Sequence, residues 1–315
     1  MKILITGCAG YIGSKLSTFL TTSFPTYEII GVDNLMYGQN SISHLAQYPN
    51  FRFYKMDVRH PNFIDIFNQE KDIGFVIPLA ALVGAKVCDF NPEAAYDINH
   101  KQIVDIVDWK IINRSKLKII FPNTNSGYGI GDANFCTEES SLNPVSHYGL
   151  LKVKTEKYLI DKIPDESVIF RLATVFGPSY RFRQDLLVND FVARAFYDRF
   201  VVLFEAGFRR NFICVDDVIS AFLFSITHYL LGVYNLGLSS ANLTKMELCL
   251  KIKEQLPEFV IKTDEFAKDP DKRDYVVSND KIEKEGYLPG VGLETGIKQL
   301  INFYGMLPRK QFTNV

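Results

Sequence analysis

Tyr148 and Lys152, in the stretch SHYGLLK, stand four residues apart. On a helix that spacing puts a phenol and an ammonium on one face, one turn apart. A free phenol titrates at about 10, too high for a base at neutral pH. A neighbouring ammonium and a nearby cation lower that value by stabilising the phenolate, so the pair is a candidate general base for an alcohol proton. A third group comes from FPNTNSGYG, which closes a short apolar run. Thr124 lies there and can hydrogen-bond a substrate hydroxyl or the carbonyl formed when that hydroxyl is oxidised.

The cation is suggested at the other end of the chain. LITGCAGYIG, from Leu4 to Gly13, sets Gly7, Gly10 and Gly13 three residues apart between an apolar run and a helical pattern. Glycines there let backbone approach a bulky anion without Cβ atoms in the way, and a helix N-terminus favours phosphate. Asp33 closes the next apolar run and can accept hydrogen bonds from a ribose diol while repelling a 2′-phosphate. Asn34 follows it and no Arg or Lys is near, so NAD is preferred over NADP. In Asp57-Val58-Arg59, at the end of the third run, a carboxylate can meet the adenine amino group. Taken alone, Asp57 reads as a helix N-cap ahead of Pro61.

These groups need a scaffold, and 315 residues with 47% hydrophobic content can bury a full core. A net charge of −1 with no basic block argues against nucleic acid or an anionic membrane as partner. The five cysteines are scattered with no metal-ligand spacing, and no HExxH is present, so free thiols in a reducing compartment and no metal are expected. Glycines interrupt the N-terminal apolar stretch before a signal-peptide core forms. VISAFLFSITHYLLGVYNLGL is apolar, but Asp216 and Asp217 lead it and His228 and Gly232 break it, which argues against a membrane span. A cytoplasmic protein is expected.

The first half alternates short apolar runs with longer amphipathic ones, the pattern of βαβ units feeding a parallel sheet. Strands are predicted at Lys2–Thr6, Glu28–Asp33, Phe51–Asp57, Phe75–Ala80, Lys118–Pro122 and Ser167–Leu172. Helices are predicted at Gly10–Thr21, Pro61–Phe67, Pro92–Asn113 and Tyr148–Ile163. Runs such as FVIPLAA are apolar on both faces, so helices cover both sides of a doubly wound sheet. After Gly177 the alternation gives way to aromatic, charged and Pro-containing segments, which read as a smaller lobe packed on the sheet's edge.

With the glycine turn, LAALVG, NTNSGYG, YGLLK, RRNFICVDDV and YNLG on one chain, the sequence resembles the extended short-chain dehydrogenases/reductases of the nucleotide-sugar epimerase/dehydratase group. The resemblance covers nearly the whole length. It implies an α/β fold with a Rossmann-type, doubly wound, NAD-binding domain over 1–177, to which 211–238 returns. A smaller α/β lobe over 178–210 and 239–315 would bind a UDP-, GDP- or dTDP-linked sugar. Tyr148 is implied as catalytic base, Lys152 as its partner and holder of the nicotinamide ribose, and Thr124 as the third catalytic group. Tyr11 and Ile12 would join the three glycines at the cofactor, Asp33, Asn34, Asp57 and Val58 would line its adenosine, and Leu79, Ala80 and Ala81 its nicotinamide side. Val83, Gly84, Thr124, Asn125, Ser126, Asn189, Arg210 and Arg273 would contact the sugar nucleotide, the last three near its diphosphate.

The resemblance also implies a homodimer through a four-helix bundle, with Ile103, Val107 and Ile111 available to it. Dehydratases of the group carry Asp-Glu directly after the catalytic Thr. Asn125 and Ser126 stand there instead, which disfavours 4,6-dehydration. Pro78 replaces the usual His before LAA, and Gly127 the usual apolar residue before Tyr128. The expected reaction is oxidation and reduction at C4 of the sugar, as a 4-epimerase or as a 4-dehydrogenase/4-reductase. A non-catalytic NAD-sensing protein is the alternative of another class.

Overall fold

In a computed structural model that describes residues 1–264 and 273–308, the first apolar run forms β1 (Lys2–Thr6) and the glycine turn leads into α1 (Tyr11–Ser23). There follow β2 (Glu28–Asp33), β3 (Phe51–Lys55), α2 (Asp65–Gln69), β4 (Ile73–Pro78), α3 (Ala85–Phe90), α4 (Pro92–Tyr96) and α5 (Gln102–Ile112). Then come β5 (Lys118–Thr124), β6 (Ile130–Cys136), α6 (His147–Lys162), β7 (Ser167–Leu172), β8 (Thr174–Phe176) and α7 (Leu187–Ala193). The remainder holds β9 (Phe200–Phe204), β10 (Arg209–Cys214), α8 (Val215–Thr227), β11 (Gly232–Leu236), β12 (Asn242–Thr244) and α9 (Lys245–Gln255). It ends with β13 (Val260–Asp264), β14 (Asp274–Val277), α10 (Asp280–Lys284) and α11 (Leu293–Met306).

Seven parallel strands make the main sheet, in the order β11, β7, β5, β4, β1, β2, β3. Strand order reverses between β1 and β4, and open sheets of this kind bind ligands in the crevice outside that point. Successive strand residues enter opposite layers. Ile3 and Ile5 pack with Leu16 and Leu20 of α1 and Phe222 of α8. Leu4 and Val76 pack with Ile106 of α5 and Leu159 of α6. Both faces are therefore covered, which explains the continuous apolar runs.

β1, β2 and β7 have the predicted bounds. β3 stops at Lys55 rather than Asp57, β4 begins earlier than predicted and β5 runs on to Thr124. The single helix predicted over Pro92–Asn113 is interrupted by a π-helical turn at Asp97–Lys101. Asn99 in that wider turn clamps the backbone of one residue from both sides, accepting from Leu82 N–H and donating to Leu82 C=O, each at 2.8 Å. Ile103 and Val107, expected at a dimer face, are instead buried against the sheet, while Ile111 is half exposed. His60, not Asp57, caps the short turn at Pro61–Phe63, accepting from Asn62 N–H at 3.1 Å. The long apolar stretch after Asp217 is split into α8 and β11, and among the described residues no helix is long and apolar enough to cross a membrane.

Of the strands that the sequence did not show, β11 joins the edge of the main sheet, and the others form three small sheets: β12, β10 and β8; β13 and β9; β14 and β6. Of these, β10 and β14 bring Arg210 and Tyr275 into the lining of the cavity described below.

Candidate active site

The three glycines have different reasons to be there. Gly7 adopts φ +67°, and a Cβ on it would lie 2.5 Å from the Ala80 nitrogen. A Cβ on Gly13 would lie 2.0 Å from the Gly7 carbonyl oxygen, so Gly7 is imposed by its backbone and the close passage of Leu79–Ala80, and Gly13 by the close approach of α1 to the turn. A Cβ on Gly10 would meet only the Gly7 oxygen, at 3.1 Å, and otherwise project into open space beside the cavity. Gly10 is also the N-cap of α1, and no side chain caps the helix. The N–H groups of its first turn are left for an anion.

At the end of β2 the Asp33 carboxylate accepts from Ala9 N–H at 3.0 Å and Leu35 N–H at 2.8 Å, tying the turn to the strand. Burial raises its pKa, against the pull of those two amides. Asn34 donates to Asp57 at 2.8 Å, and Arg59 grips Asp57 through Nε and Nη2. The Arg59 guanidinium holds the Asp57 carboxyl well below the usual carboxylate range.

Tyr148 and Lys152 lie on the first turns of α6, whose N-cap Ser146 accepts from Gly149 N–H at 3.2 Å. Burial pushes the Tyr148 phenol up to about 12, while the charges of Arg183 and Arg273 pull it down. Burial brings Lys152 down to about 7. Its ammonium donates to Pro122 C=O at 2.7 Å and sits 4.6 Å from the Phe121 ring centroid. Thr124, at the end of β5, donates to Ser126 Oγ at 2.9 Å, and Arg273 donates to the same Ser126 oxygen.

One cavity of about 910 Å³ joins these groups. It runs from Asp33 and Gly10 past Ala80, Lys152, Tyr148 and Thr124 to Arg210, Lys245 and Arg273. Every residue singled out from the sequence lines it except Asn125 and Asn189. Asn125 is fully buried under its turn, away from the cavity, and neither amide atom meets a partner. Asn189 is spent on a loop, accepting from Gly177 N–H at 2.9 Å and donating to Arg183 C=O at 2.8 Å. Tyr11 reaches the cavity, but its hydroxyl donates to Gly177 C=O at 2.7 Å, so its backbone rather than its phenol faces a ligand at the turn.

Arg210 donates to Arg209 C=O at 2.8 Å and lies 5.5 Å from the Tyr275 ring centroid. Asp274, which accepts from Arg209 at 3.1 Å, is held below its ordinary pKa by Arg209 and by the nearby charge of Arg210.

Sequence reasoning missed Arg181, Arg183 and Lys245, which also line the cavity. Only Lys245 had a readable signal: Thr244 and Glu247 form a capping box that marks the start of α9 and places Lys245 at its first turn. The five cysteines are buried and free, and among the described residues no cluster of His, Cys, Asp or Glu can hold a metal ion.

Residues 3–237 match the NAD dependent epimerase/dehydratase family. The chain belongs to that family. Its relatives include dTDP-D-glucose 4,6-dehydratase of Mus musculus, 26% identical over 99% of this chain and 90% of that protein. A putative UDP-glucose 4-epimerase of Methanocaldococcus jannaschii is 28% identical over 96% of this chain and 97% of its own length. The crystal structure of a UDP-glucose 4-epimerase with UDP-glucose from Thermotoga maritima superposes with a TM-score of 0.84 at 25% identity, covering 97% of this chain and 99% of that one. Like other members of the NAD dependent epimerase/dehydratase family, the chain is an NAD-dependent enzyme of the extended short-chain dehydrogenase/reductase type. Its site fits that cofactor: the space in front of Gly10 and the uncapped first turn of α1 suit a pyrophosphate, and Asp33 suits a ribose diol.

Proposed function

We propose that this enzyme oxidises and re-reduces C4 of a nucleotide-linked sugar and works as a nucleotide-sugar 4-epimerase. The observation that carries the reading is the continuity of the cavity. A glycine turn and Asp33 at one end, Tyr148 and Thr124 in the middle and a group of cations at the other leave room for a dinucleotide and a second phosphorylated ligand.

NAD, when bound, supplies the hydride acceptor. Gly10 and the first turn of α1 would hold its pyrophosphate, Asp33 its adenosine ribose and Lys152 its nicotinamide ribose. Tyr148, as phenolate, takes the proton of the C4 hydroxyl, and Thr124 hydrogen-bonds the same oxygen as it becomes a carbonyl. The cations Lys152, Arg183 and Arg273 lower the cost of that phenolate. Arg210 and Arg273 hold the diphosphate through charge-assisted hydrogen bonds. In a 4-epimerase the ketosugar stays in the cavity and presents its other face. Water elimination is disfavoured because Asn125 and Ser126 offer no acid or base. A homodimer through α5 and α6 fits the half-exposed Ile111, Leu150 and Ile160 and the exposed Ile112 on those helices.

The test supplies the purified enzyme with UDP-, GDP- and dTDP-sugars, following both the absorbance of reduced nicotinamide and the sugar products. A C4 epimer without net NADH is expected. A released 4-keto sugar would make it a dehydrogenase or reductase, and no conversion of any sugar nucleotide would overturn the reading. Tyr148→Phe should abolish turnover while leaving NAD bound; undiminished activity would remove Tyr148 from the mechanism.

A further inference from the structure

Behind the cavity lies a cross-link to which the proposed chemistry assigns no part. Glu156 stands on α6 one turn beyond Lys152 and two beyond Tyr148, and its side chain is only 2% exposed. Arg171 of β7 holds it from two directions, Nη2 donating to Oε1 at 2.6 Å and Nε to Oε2 at 3.1 Å. Asn123 of β5, the register partner of Arg171, donates its amide to the same Oε2. The remaining nitrogen, Nη1, donates to the Tyr128 hydroxyl and to Glu138 C=O, each at 2.9 Å. Tyr128 closes the short turn that Thr124 opens, and its hydroxyl donates to Asn235 of β11 at 2.7 Å. One buried guanidinium is thus bonded on one side to the helix that carries Tyr148 and Lys152, and on the other to the turn that carries Thr124.

Stability is a weak reason for such a group. The gain of a buried ion pair is largely offset by desolvation, and apolar residues of similar volume often hold a fold as well. What apolar residues cannot supply is direction. The planar fork of an arginine fixes the angle and distance of both partners at once.

We propose that Arg171 is a positioning residue for the reaction. Its two-sided hold on Glu156 and Tyr128 sets the separation between the Tyr148 phenol and the Thr124 hydroxyl, so that both meet one substrate oxygen. The inference rests on the proposed chemistry at C4 and adds to it a residue that touches neither sugar nor cofactor.

The test compares wild-type enzyme with the double variant Glu156→Leu/Arg171→Met, which removes both charges together, and with Arg171→Lys, which keeps the charge and loses the fork. Thermal unfolding, NAD affinity, KM for the sugar nucleotide and kcat are measured for each. The double variant should fold and keep its NAD affinity and KM, with kcat lower by about a hundredfold, the cost of roughly 1 Å of misplacement between reacting groups. Arg171→Lys should fall between the two. A folded double variant with wild-type kcat overturns the inference and leaves the C4 reading standing. Equal losses in NAD affinity and kcat overturn it too, because they reduce Arg171 to holding the fold. If the double variant does not fold, Arg171→Lys decides, and an undiminished kcat there overturns the proposal. A wild-type enzyme that converts no sugar nucleotide fails at the earlier step and takes the inference with it.

Discussion

The Lys152 ammonium donates to the main-chain carbonyl of Pro122 at 2.7 Å, so β5, the strand that ends at Thr124, fixes where that amine sits. The position is set by the sheet, yet the charge is not secure, since burial brings Lys152 to about 7. Burial also raises Tyr148 to about 12. The proposed chemistry needs each group in the form that burial disfavours, and opposite charges on bound ligands would oppose both shifts.

A pH dependence follows. With the phenol pKa raised to about 12, the base form of Tyr148 is gained as pH increases toward that value, so kcat/KM for sugar oxidation at saturating NAD should climb without a plateau up to about pH 9 and beyond. Lys152→Gln removes the amine one helical turn from Tyr148, the partner that the proposed chemistry gives the phenol. It should move that rising limb to higher pH and lower kcat/KM by about a hundredfold. A flat profile in the wild-type enzyme would exclude Tyr148 as the titrating base.

The glycine turn separates packing from binding. Gly13→Ala forces a Cβ to within 2.0 Å of the Gly7 oxygen and should destabilise the fold by about 3 kcal/mol. Gly10→Ala meets only that oxygen, at 3.1 Å. It should leave unfolding within about 1 kcal/mol of wild type while weakening NAD binding by about tenfold or more. Thermal melts and NAD titrations check both; the expectation fails if the two variants lose affinity and stability in the same proportion.

His100 provides an acid-sensitive point away from the cavity mouth. It is buried on the π-helical turn, with Nδ1 3.0 Å from Thr155 Oγ1 of α6, and burial lowers its pKa to about 4. Between the unfolded value of about 6.5 and the folded value of about 4, the unfolded chain binds the extra proton, so stability falls as pH falls through that window. The loss attributable to this residue is about 3 kcal/mol. Denaturant melts of wild type and His100→Gln at pH values spanning that window should show a shallower acid slope in the variant. Identical slopes would mean that other groups dominate.

The dimer is open to a direct measurement. Leu150 on α6 is 53% exposed and Ile112 on α5 79% exposed, more apolar surface than these helices need to leave in water. Light scattering should give twice the chain mass for wild type and the single mass for Leu150→Glu/Ile112→Glu. A monomeric wild type at micromolar concentration would remove the bundle from the proposal.

How far these features were legible depended on what each residue answers to. β1, β2 and β7 were readable to the residue because apolar runs bounded by turn residues have few alternatives. β3 was overextended because Asp57 turns out of the strand to meet Arg59, a contact two residues away that periodicity does not register. The small sheets were missed because strands such as β8 and β12 are three residues long and sit among aromatic and charged neighbours. In the site, residues fixed by a strand end or a helix turn, such as Asp33, Thr124, Tyr148 and Lys152, fell into the cavity as read. Asn125 and Asn189 did not, because the direction of a polar side chain on a turn is set by tertiary partners, here Gly177 and Arg183 for Asn189. The pair formed by Glu156 and Arg171 stayed hidden because charged residues read as surface until the sheet brings them together.

The glycine turn carries one more consequence. Its two outer members answer to backbone contacts within the fold, and only Gly10 is left room for a guest. A descendant of this chain that had lost all chemistry would still be obliged to keep Gly7 and Gly13 in order to stay folded. The familiar triplet can therefore outlive the activity it advertises, and the middle position is where a pseudoenzyme would first betray itself.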